Sequence, residues 1–132
     1  MSNFFIKQNS TLPELTYPVS RKTFEKYSIP EDMLKYAVAT FSMFDSNNRT
    51  YSIANSPAEF IINTDKYKIS SEGKYVLKYK FKEFDTEEYG KFMGEFKIDI
   101  LHVDYLKKLT IPTSGMIIIY ITPSITKTTV IQ

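Results

Sequence analysis

The chain has 132 residues and a formal net charge of +2, from 17 basic and 15 acidic side chains, and it contains no cysteine. This length predicts one domain with enough buried surface for a core without disulfides, and the missing cysteines exclude thiolate chemistry and zinc–cysteine sites. The balanced charge argues against a nucleic-acid surface, and the sequence shows neither a leader pattern nor an apolar run long enough for a bilayer, so we expect a soluble protein.

The first third of the chain predicts short extended segments and one helical turn. Asn9 and Pro13 end the first segment, because Asn tolerates positive φ and Pro lacks a backbone donor. Pro18 places the second segment at a sheet edge, since a central strand uses its N–H groups in the ladder. Ser28 is a suitable N-cap, with Pro30 in the opening turn of a helix. The predicted elements are strands over 4–8, 14–19 and 36–44 and a helical turn over 28–34.

The middle of the chain carries the clearest pattern in the sequence. Tyr75, Leu77, Tyr79 and Phe81 alternate with one valine and three lysines, and residues 91–100 alternate in a similar way. Such alternation predicts strands with one dry and one wet face, and the acidic loop between the two runs predicts an antiparallel hairpin. Further predicted elements are strands over 50–54, 58–63 and 67–70, a turn at 45–49, and a last hairpin formed by 107–111 and 116–122.

These segments add up to about eight short strands with frequent turns, which is typical of an all-β sandwich or barrel. We predict one antiparallel sandwich over residues 1–122, with an inserted segment at 20–34 that holds the helical turn. Residues 123–132 are rich in Thr and Ser and are predicted to form a C-terminal arm.

Short motifs along the chain resemble the immunoglobulin-like domains of tailed-phage structural proteins, the type found at the N-terminus of the phage baseplate upper protein. The opening F-I-K-Q-N-S-T-L-P is similar to that family's I-K-Q-G-D-T-L-P, and A-V-A-T-F-S-M is similar to its A-x-V-x-F-x-M. Later, Y-K-F, D-T and G-K-F-M-G-E-F follow the family order, and L-T-I-P before a glycine resembles its closing T-x-P turn. The motifs occupy residues 5–13, 37–43, 79–81, 85–86, 90–96, 109–112 and 115.

The resemblance implies an immunoglobulin-like antiparallel β-sandwich of about seven or eight strands that has no enzymatic activity. Three departures stand out. Asn9 replaces a family glycine, and Phe92 stands where many such sandwiches place a corner tyrosine. Residues 20–34 lengthen a spacer and have no family counterpart, so this insertion is the segment most specific to this protein.

The strand over residues 116–121 is apolar on both faces. Its odd-numbered residues suit the core, which leaves Met116, Ile118 and Tyr120 facing outward. Either the insertion or a neighbouring molecule must cover them, and the sequence leaves both possibilities open. The predicted contact surface combines this strand, the N-terminal segment and the insertion: Phe4, Phe5, Ile6, Leu12, Tyr27, Ile29, Met33, Leu34, Met116, Ile118 and Tyr120.

Lysines cluster on one predicted strand face. We interpret this stripe as a solvated face balanced by Glu95, Lys97 and Asp99 rather than as a polyanion site, because the total charge is balanced. The lysines are Lys66, Lys68, Lys74, Lys78, Lys80 and Lys82.

No catalytic, cofactor-binding or metal-binding residue is predicted. Asp45, Asp85, Glu87 and Glu88 crowd two loops, but their spacing lacks the alternation of a calcium-binding loop. His102 is the lone histidine, and the sequence has neither a nucleophile–base motif nor a glycine-rich phosphate loop.

Together with these observations, the resemblance implies a non-enzymatic virion structural protein of a tailed bacteriophage, assembled in the host bacterial cytoplasm. It is expected to pack onto capsid or tail proteins and onto copies of itself, as a head decoration or fibre-anchoring protein first and a baseplate component second. No nucleic acid, membrane or small-molecule substrate is expected as a partner. The alternative is a carbohydrate- or host-surface-binding module, with Tyr51, Phe84, Tyr89 and Tyr105 stacking on sugar rings.

Overall fold

A computed structural model describes residues 2–47, 49–62, 73–103 and 105–125, and these are mostly β-strand. The strands are β1 (Ser2–Lys7), β2 (Leu15–Ser20), β3 (Ala37–Asp45), β4 (Thr50–Ile61), β5 (Gly73–Tyr79), β6 (Gly90–His102), β7 (Tyr105–Ile111) and β8 (Ile117–Thr122). Two short helices are α1 (Arg21–Lys26) and a 3-10 helix (Glu31–Tyr36). The predicted all-β class is confirmed.

The described strands form one eight-stranded sheet that is nearly barrel-shaped. Its order is β1-β8-β6-β3-β4-β5-β2, and β7 also pairs with β6. Pro18 lies in β2 at one end of this order, as the sequence predicts for an edge strand. The predicted strand over 67–70, Lys66, Lys68 and residues 126–132 of the predicted arm lie outside the described residues.

β6 is the central strand of the larger half of the sheet. One of its sides pairs with β3, while the other side pairs first with β8 and then with β7. β7 and β8 therefore continue one another along β6, and residues 112–116 bulge out between them, with Gly115 at φ 78°. The predicted β7–β8 hairpin is wrong, because the Pro and Gly of this segment form a bulge and do not reverse the chain.

The predicted hairpin between β5 and β6 is also wrong. β5 pairs with β2 and β4, whereas β6 pairs with β3, β7 and β8. Residues 80–89 carry the chain from one half of the sheet to the other. The predicted dry face is confirmed, because Tyr75, Tyr79, Phe92 and Phe96 are buried, but Val76 on the predicted wet face of β5 is buried as well. Alternation determines which face of a strand is dry, but it does not determine which strand lies beside it.

β4 is one strand where the sequence predicts two. Its residues up to Ala58 pair with β3 and its last three residues, from Glu59, pair with β5, so it joins the larger half of the sheet (β1, β8, β7, β6, β3) to the smaller half (β5, β2). Asn55 lies at a register shift within the β3–β4 pairing, with φ 51°, and its N–H donates to the Ser42 hydroxyl at 2.9 Å. This local bond satisfies the backbone at the irregularity, so the strand bends without ending.

The core lies between the two halves and is dominated by aromatic rings. Phe41 on β3 is fully buried, and its ring centroid lies 4.7 Å from that of Tyr79 and 5.0 Å from that of Phe96. Gly94 on β6 allows this packing, because a Cβ atom there would approach both Phe41 Cζ and Ile119 Cδ1 to 2.8 Å. The Phe41 ring can therefore lie close to the β6 backbone because β6 has no side chain at Gly94.

The insertion contains a helix that the sequence analysis missed. Ser20 caps α1 by accepting a hydrogen bond from the Lys22 N–H at 3.1 Å. Phe24 of α1 is buried edge-on against Tyr75 and Phe60, with centroid distances of 5.4 and 5.9 Å. A six-residue helix is marginal alone, so this packing accounts for its presence better than propensity does.

Ser28 does not cap a helix, contrary to the sequence prediction. It has φ 58°, and its N–H donates to the Glu25 carbonyl at 3.1 Å, at the end of α1. Pro30 stands at the N-cap position of the 3-10 helix and offers no side-chain bond. The segment between the two helices is thus a turn, followed by the 3-10 helix that buries Leu34.

Candidate interaction surface

An apolar row crosses the outer face of the larger half of the sheet. The strand register places Ile118 of β8 beside Met93 of β6, Met93 beside Phe44 of β3, and Phe44 beside Tyr51 of β4. Ile118 and Met93 point away from the core, since both neighbours of each along the strand point inward, and Phe44 follows inward Met43. These three side chains are partly buried, whereas Tyr51 is exposed. Four adjacent strands therefore contribute one continuous line of apolar side chains to the surface.

Three further residues widen this row. Phe5 of β1 stacks on Tyr120 of β8 with ring centroids 5.1 Å apart, and Met116 precedes β8 on the other side of the row. Phe5 remains 59% exposed, Tyr51 64% and Met116 43%. A shallow hollow of about 220 Å³ opens on this face. We call the set the row patch: Phe5, Phe44, Tyr51, Met93, Met116, Ile118 and Tyr120.

The structure divides the eleven predicted contact residues into four groups. Four of them, Phe5, Met116, Ile118 and Tyr120, come together in the row patch. Three of them, Ile6, Ile29 and Leu34, are buried in the core of the same chain and are not available to a partner in this fold. Phe4 and Met33 are partly buried and pack against the core, while Leu12 and Tyr27 are exposed away from the row patch.

The insertion packs elsewhere and leaves the row patch open. α1 contacts β2 and β5, and the 3-10 helix contacts β6. Ile29 and Leu34 join the core cluster from this segment. The sequence analysis left open whether the insertion or a neighbouring molecule packs over the outer face of the final strand. The structure shows that the insertion does not pack over Ile118 and Tyr120.

Sequence reasoning missed three members of the row patch, namely Phe44, Tyr51 and Met93. The alternation that assigned Ile118 to the outer face applies equally to Phe44, which follows inward Met43, and to Met93, which lies between inward Phe92 and Gly94. The sequence thus contained the information for these two residues. Tyr51 needed the β3–β4 register as well, because bulges interrupt the alternation there.

A second apolar group lies at the far end of the same sheet half. Leu101 and Leu106 face each other across the β6–β7 ladder, and Val103 lies in the turn between them. Val103 is 90% exposed and Leu106 is 70% exposed. We call Leu101, Val103 and Leu106 the hairpin tip.

Two of the segments that resemble the phage domains, residues 5–13 and 85–86, are joined by hydrogen bonds that we call the backbone clasp. Asn9 adopts φ 63° and its N–H donates to the Thr86 carbonyl at 2.9 Å, while the Thr86 hydroxyl donates to the Ser10 carbonyl at 2.8 Å. Gln8 Nε2 donates to the Glu87 carbonyl at 2.9 Å. Thr86 is fully buried, so the clasp holds the chain after β1 against the β5–β6 connection.

The acidic loop has a structural role through Asp85. Its carboxylate accepts hydrogen bonds from the Tyr79 hydroxyl at 2.7 Å and from the Lys82 N–H at 2.8 Å. Burial raises the pKa of Tyr79 well above its ordinary value, and the bond to Asp85 adds to this rise. Within the described ranges, no group of three or more acidic, histidine or cysteine side chains is placed to hold a metal ion.

The lysine stripe has other partners than the sequence analysis predicted. Because β5 does not pair with β6, Glu95, Lys97 and Asp99 do not lie across a ladder from it. Lys78 instead pairs with Glu14 at 3.4 Å, and Lys80 pairs with Glu59 at 3.5 Å. The outer face of the smaller half therefore carries charge pairs where the larger half carries the row patch.

Comparisons with known proteins found no family model, curated protein or solved structure that matches this chain. Among the described residues, no helix has both the length and the apolar character needed to cross a membrane. The resemblance to phage immunoglobulin-like domains stays a prediction.

Proposed function

We propose that this chain is a non-enzymatic virion structural protein of a tailed bacteriophage, an immunoglobulin-like module that packs onto capsid or tail proteins. A decoration or fibre-anchoring role is preferred, and a baseplate component comes next. The observation that carries the proposal is the presence of two separate apolar groups on the outer surface of one small domain, the partly exposed row patch and the exposed hairpin tip. A component of an assembly needs such surfaces for its neighbours.

The strand order supports the immunoglobulin-like part of the proposal. Immunoglobulin sandwiches place strands C, F and G together in one sheet and strands B and E together in the other. The neighbours β3, β6 and β8 fit C, F and G in chain order, and the neighbours β2 and β5 fit B and E. β4 beside β3 takes the position of the strand that variable-type domains add to this sheet.

The spacing of the two apolar groups supports contact with more than one neighbour. Met93 and Leu101 lie on the same strand, eight residues apart, which corresponds to roughly 27 Å. Between them the outer face is mostly polar: β6 carries Glu95, Lys97 and Asp99, and Asp99 is paired to Lys108 at 3.6 Å, while Val38 beside Asp99 is the exposed apolar residue. Two apolar surfaces separated by a polar belt suit two different contacts better than one extended contact.

The experiment that tests this proposal is mass spectrometry of purified tailed-phage particles from the source of the gene. We expect the protein to remain with the particles through density-gradient purification, in a fixed ratio to the major capsid or tail protein. Recovery of the protein only in the free fraction of the lysate contradicts the proposal.

A hairpin-tip variant sharpens this test. Leu106→Lys places a charge on an exposed apolar position, so we expect the folded variant to be lost from the particles. Lys107→Ala is the matched control, because it changes an exposed neighbour on the same strand and is expected to be incorporated normally. Equal incorporation of both variants argues against the hairpin tip as an attachment surface.

A carbohydrate-binding function is the second candidate, and one observation favours it. A cleft of about 280 Å³ is lined by Phe84 together with Asp45, Glu87 and Glu88, and the Phe84 ring is 72% exposed. Aromatic rings beside carboxylates are suited to stacking and hydrogen bonding with a sugar. Binding to a glycan array that disappears with Phe84→Ala would favour this function, whereas an assembly protein is expected to show no glycan affinity.

A further inference from the structure

The two charged side chains nearest the centre of the row patch have opposite signs and lie on opposite sides of the row. Lys91 precedes Met93 by two residues on β6, and Glu95 follows it by two, so all three share the outer face. Lys91 is exposed and Glu95 is half-buried. Neither forms an ion pair with another side chain in the part of the chain that the structure describes.

We propose that the row patch binds a second copy of this chain, face to face, about a two-fold axis that runs along the row between the two sheets. This inference deepens the proposed function and rests on it, since it assigns a partner to one of the two apolar surfaces.

The charges select this axis. A two-fold axis along the row exchanges the two sides of the row, so Lys91 of each copy faces Glu95 of the other copy, and the contact contains this pair twice. A two-fold axis along the strands would place Lys91 opposite Lys91 and Glu95 opposite Glu95, which is repulsive. Only the first arrangement combines apolar contact with opposite charges.

The same axis also matches the apolar side chains. Met93 and Phe44 lie on the row and meet their own copies, while Tyr120 on one side of the row meets Met116 on the other side. Stacked sheets pack about 10 Å apart with their strands within roughly 30° of one another, which long side chains such as these can span. The contact is isologous, as in most homodimers.

The size of the face sets the expected affinity. Five strands at a spacing of about 4.8 Å span roughly 24 Å, and three rows of outward side chains span roughly 20 Å. The contact therefore buries on the order of 1,000 Å² in total, which is at the low end for specific interfaces. We expect a reversible dimer with a dissociation constant in the micromolar range.

The test is sedimentation velocity of the purified chain over a series of concentrations, with charge reversals on β6. Lys91→Glu and Glu95→Lys each place like charges face to face, so we expect each variant alone to associate at least about tenfold more weakly. An equimolar mixture of the two variants restores both opposite-charge pairs in the heterodimer, and the mixture is expected to associate about as well as the wild type. The double variant Lys91→Glu/Glu95→Lys is expected to dimerise as well.

Lys22→Glu is the matched control, because it makes the same charge change at an exposed position of α1, away from the row patch. It is expected to leave association unchanged, and circular dichroism confirms that each variant is folded. A wild type that stays monomeric well above the micromolar range overturns the inference, as does a mixture that associates no better than its components. These outcomes concern the free protein, so they are independent of whether the protein is found in phage particles.

Discussion

Two adjacent isoleucines of β8 have opposite surroundings. Ile119 is fully buried with its Cδ1 beside Gly94, whereas Ile118 lies in the row patch on the other face of the same strand. The residue type is the same and the backbone is continuous. The inner face of the larger half is therefore committed to the fold, and its outer face remains available to another molecule.

The two outer faces of the sheet differ in a similar way. The smaller half presents charged pairs such as Lys80 with Glu59, which are solvated and need no further partner. The larger half presents the row patch, whose two nearest charges, Lys91 and Glu95, find no ionic partner among the described side chains. An apolar surface with opposite charges on its two sides has the character of an interface, while a surface of exposed charge pairs does not.

The largest expected effect distinguishes the two faces of β8. Ile119→Ala removes buried methylene groups and leaves a cavity, so we expect the free energy of unfolding to fall by about 2–5 kcal/mol. Ile118→Ala is expected to lower it by less, about 1 kcal/mol in dilute solution, because the Ile118 side chain is only partly buried. Urea unfolding at two protein concentrations measures both values, and the Ile118 effect should increase with concentration if this face binds a second copy. Equal losses at low concentration contradict the assignment of the faces.

Gly94→Ala tests how tightly the inner face is packed. The new Cβ atom would lie 2.8 Å from carbon atoms of Phe41 and Ile119, so we expect a loss of about 1–3 kcal/mol from overpacking. Glu95→Ala is the control on the adjacent, outward position and is expected to change unfolding of the monomer by no more than about 0.5 kcal/mol. A neutral Gly94→Ala variant would mean that the inner face adjusts more freely than its contacts indicate.

The buried Tyr79 makes the free energy of unfolding depend on pH in the alkaline range. Because burial and the Asp85 bond raise the pKa of Tyr79, the folded chain keeps this proton above about pH 10, where an unfolded chain releases it. The stabilisation is complete below the unfolded pKa and is lost as the pH rises toward the folded pKa, by at most about 1.4 kcal/mol per pH unit. Urea unfolding at a series of alkaline pH values measures this loss, and Tyr79→Phe should remove this component from the profile.

The smallest expected effect concerns the outer face of the smaller half. Lys80→Ala removes an exposed pair with Glu59, so the free energy of unfolding should change by less than about 1 kcal/mol and the change should diminish with added salt. Association in sedimentation velocity should remain as in the wild type. A loss of association with Lys80→Ala would indicate that the smaller half of the sheet, and not the row patch, forms the contact between copies.

Much of the candidate surface could be predicted from alternation alone. The sequence assigned Ile118 and Tyr120 to the outer face of the last strand, and the same rule extends to Phe44 and Met93. It could not show that these residues lie side by side, because that depends on two strand registers between segments far apart in the chain. The three predicted contact residues that proved to be buried, Ile6, Ile29 and Leu34, are apolar groups that local sequence cannot distinguish from surface contacts.

The sequence by itself determined the all-β class, the dry and wet faces of the central strands and the edge position of β2, because these follow from side-chain period and from the missing N–H of Pro18. Only the tertiary structure decided which strands are neighbours. It separated β5 from β6 and aligned β7 with β8 along a single partner. Residues 80–89 and 112–116 have turn chemistry that fits a hairpin, a crossover or a bulge equally well, and the choice depends on burying all inward faces in one core.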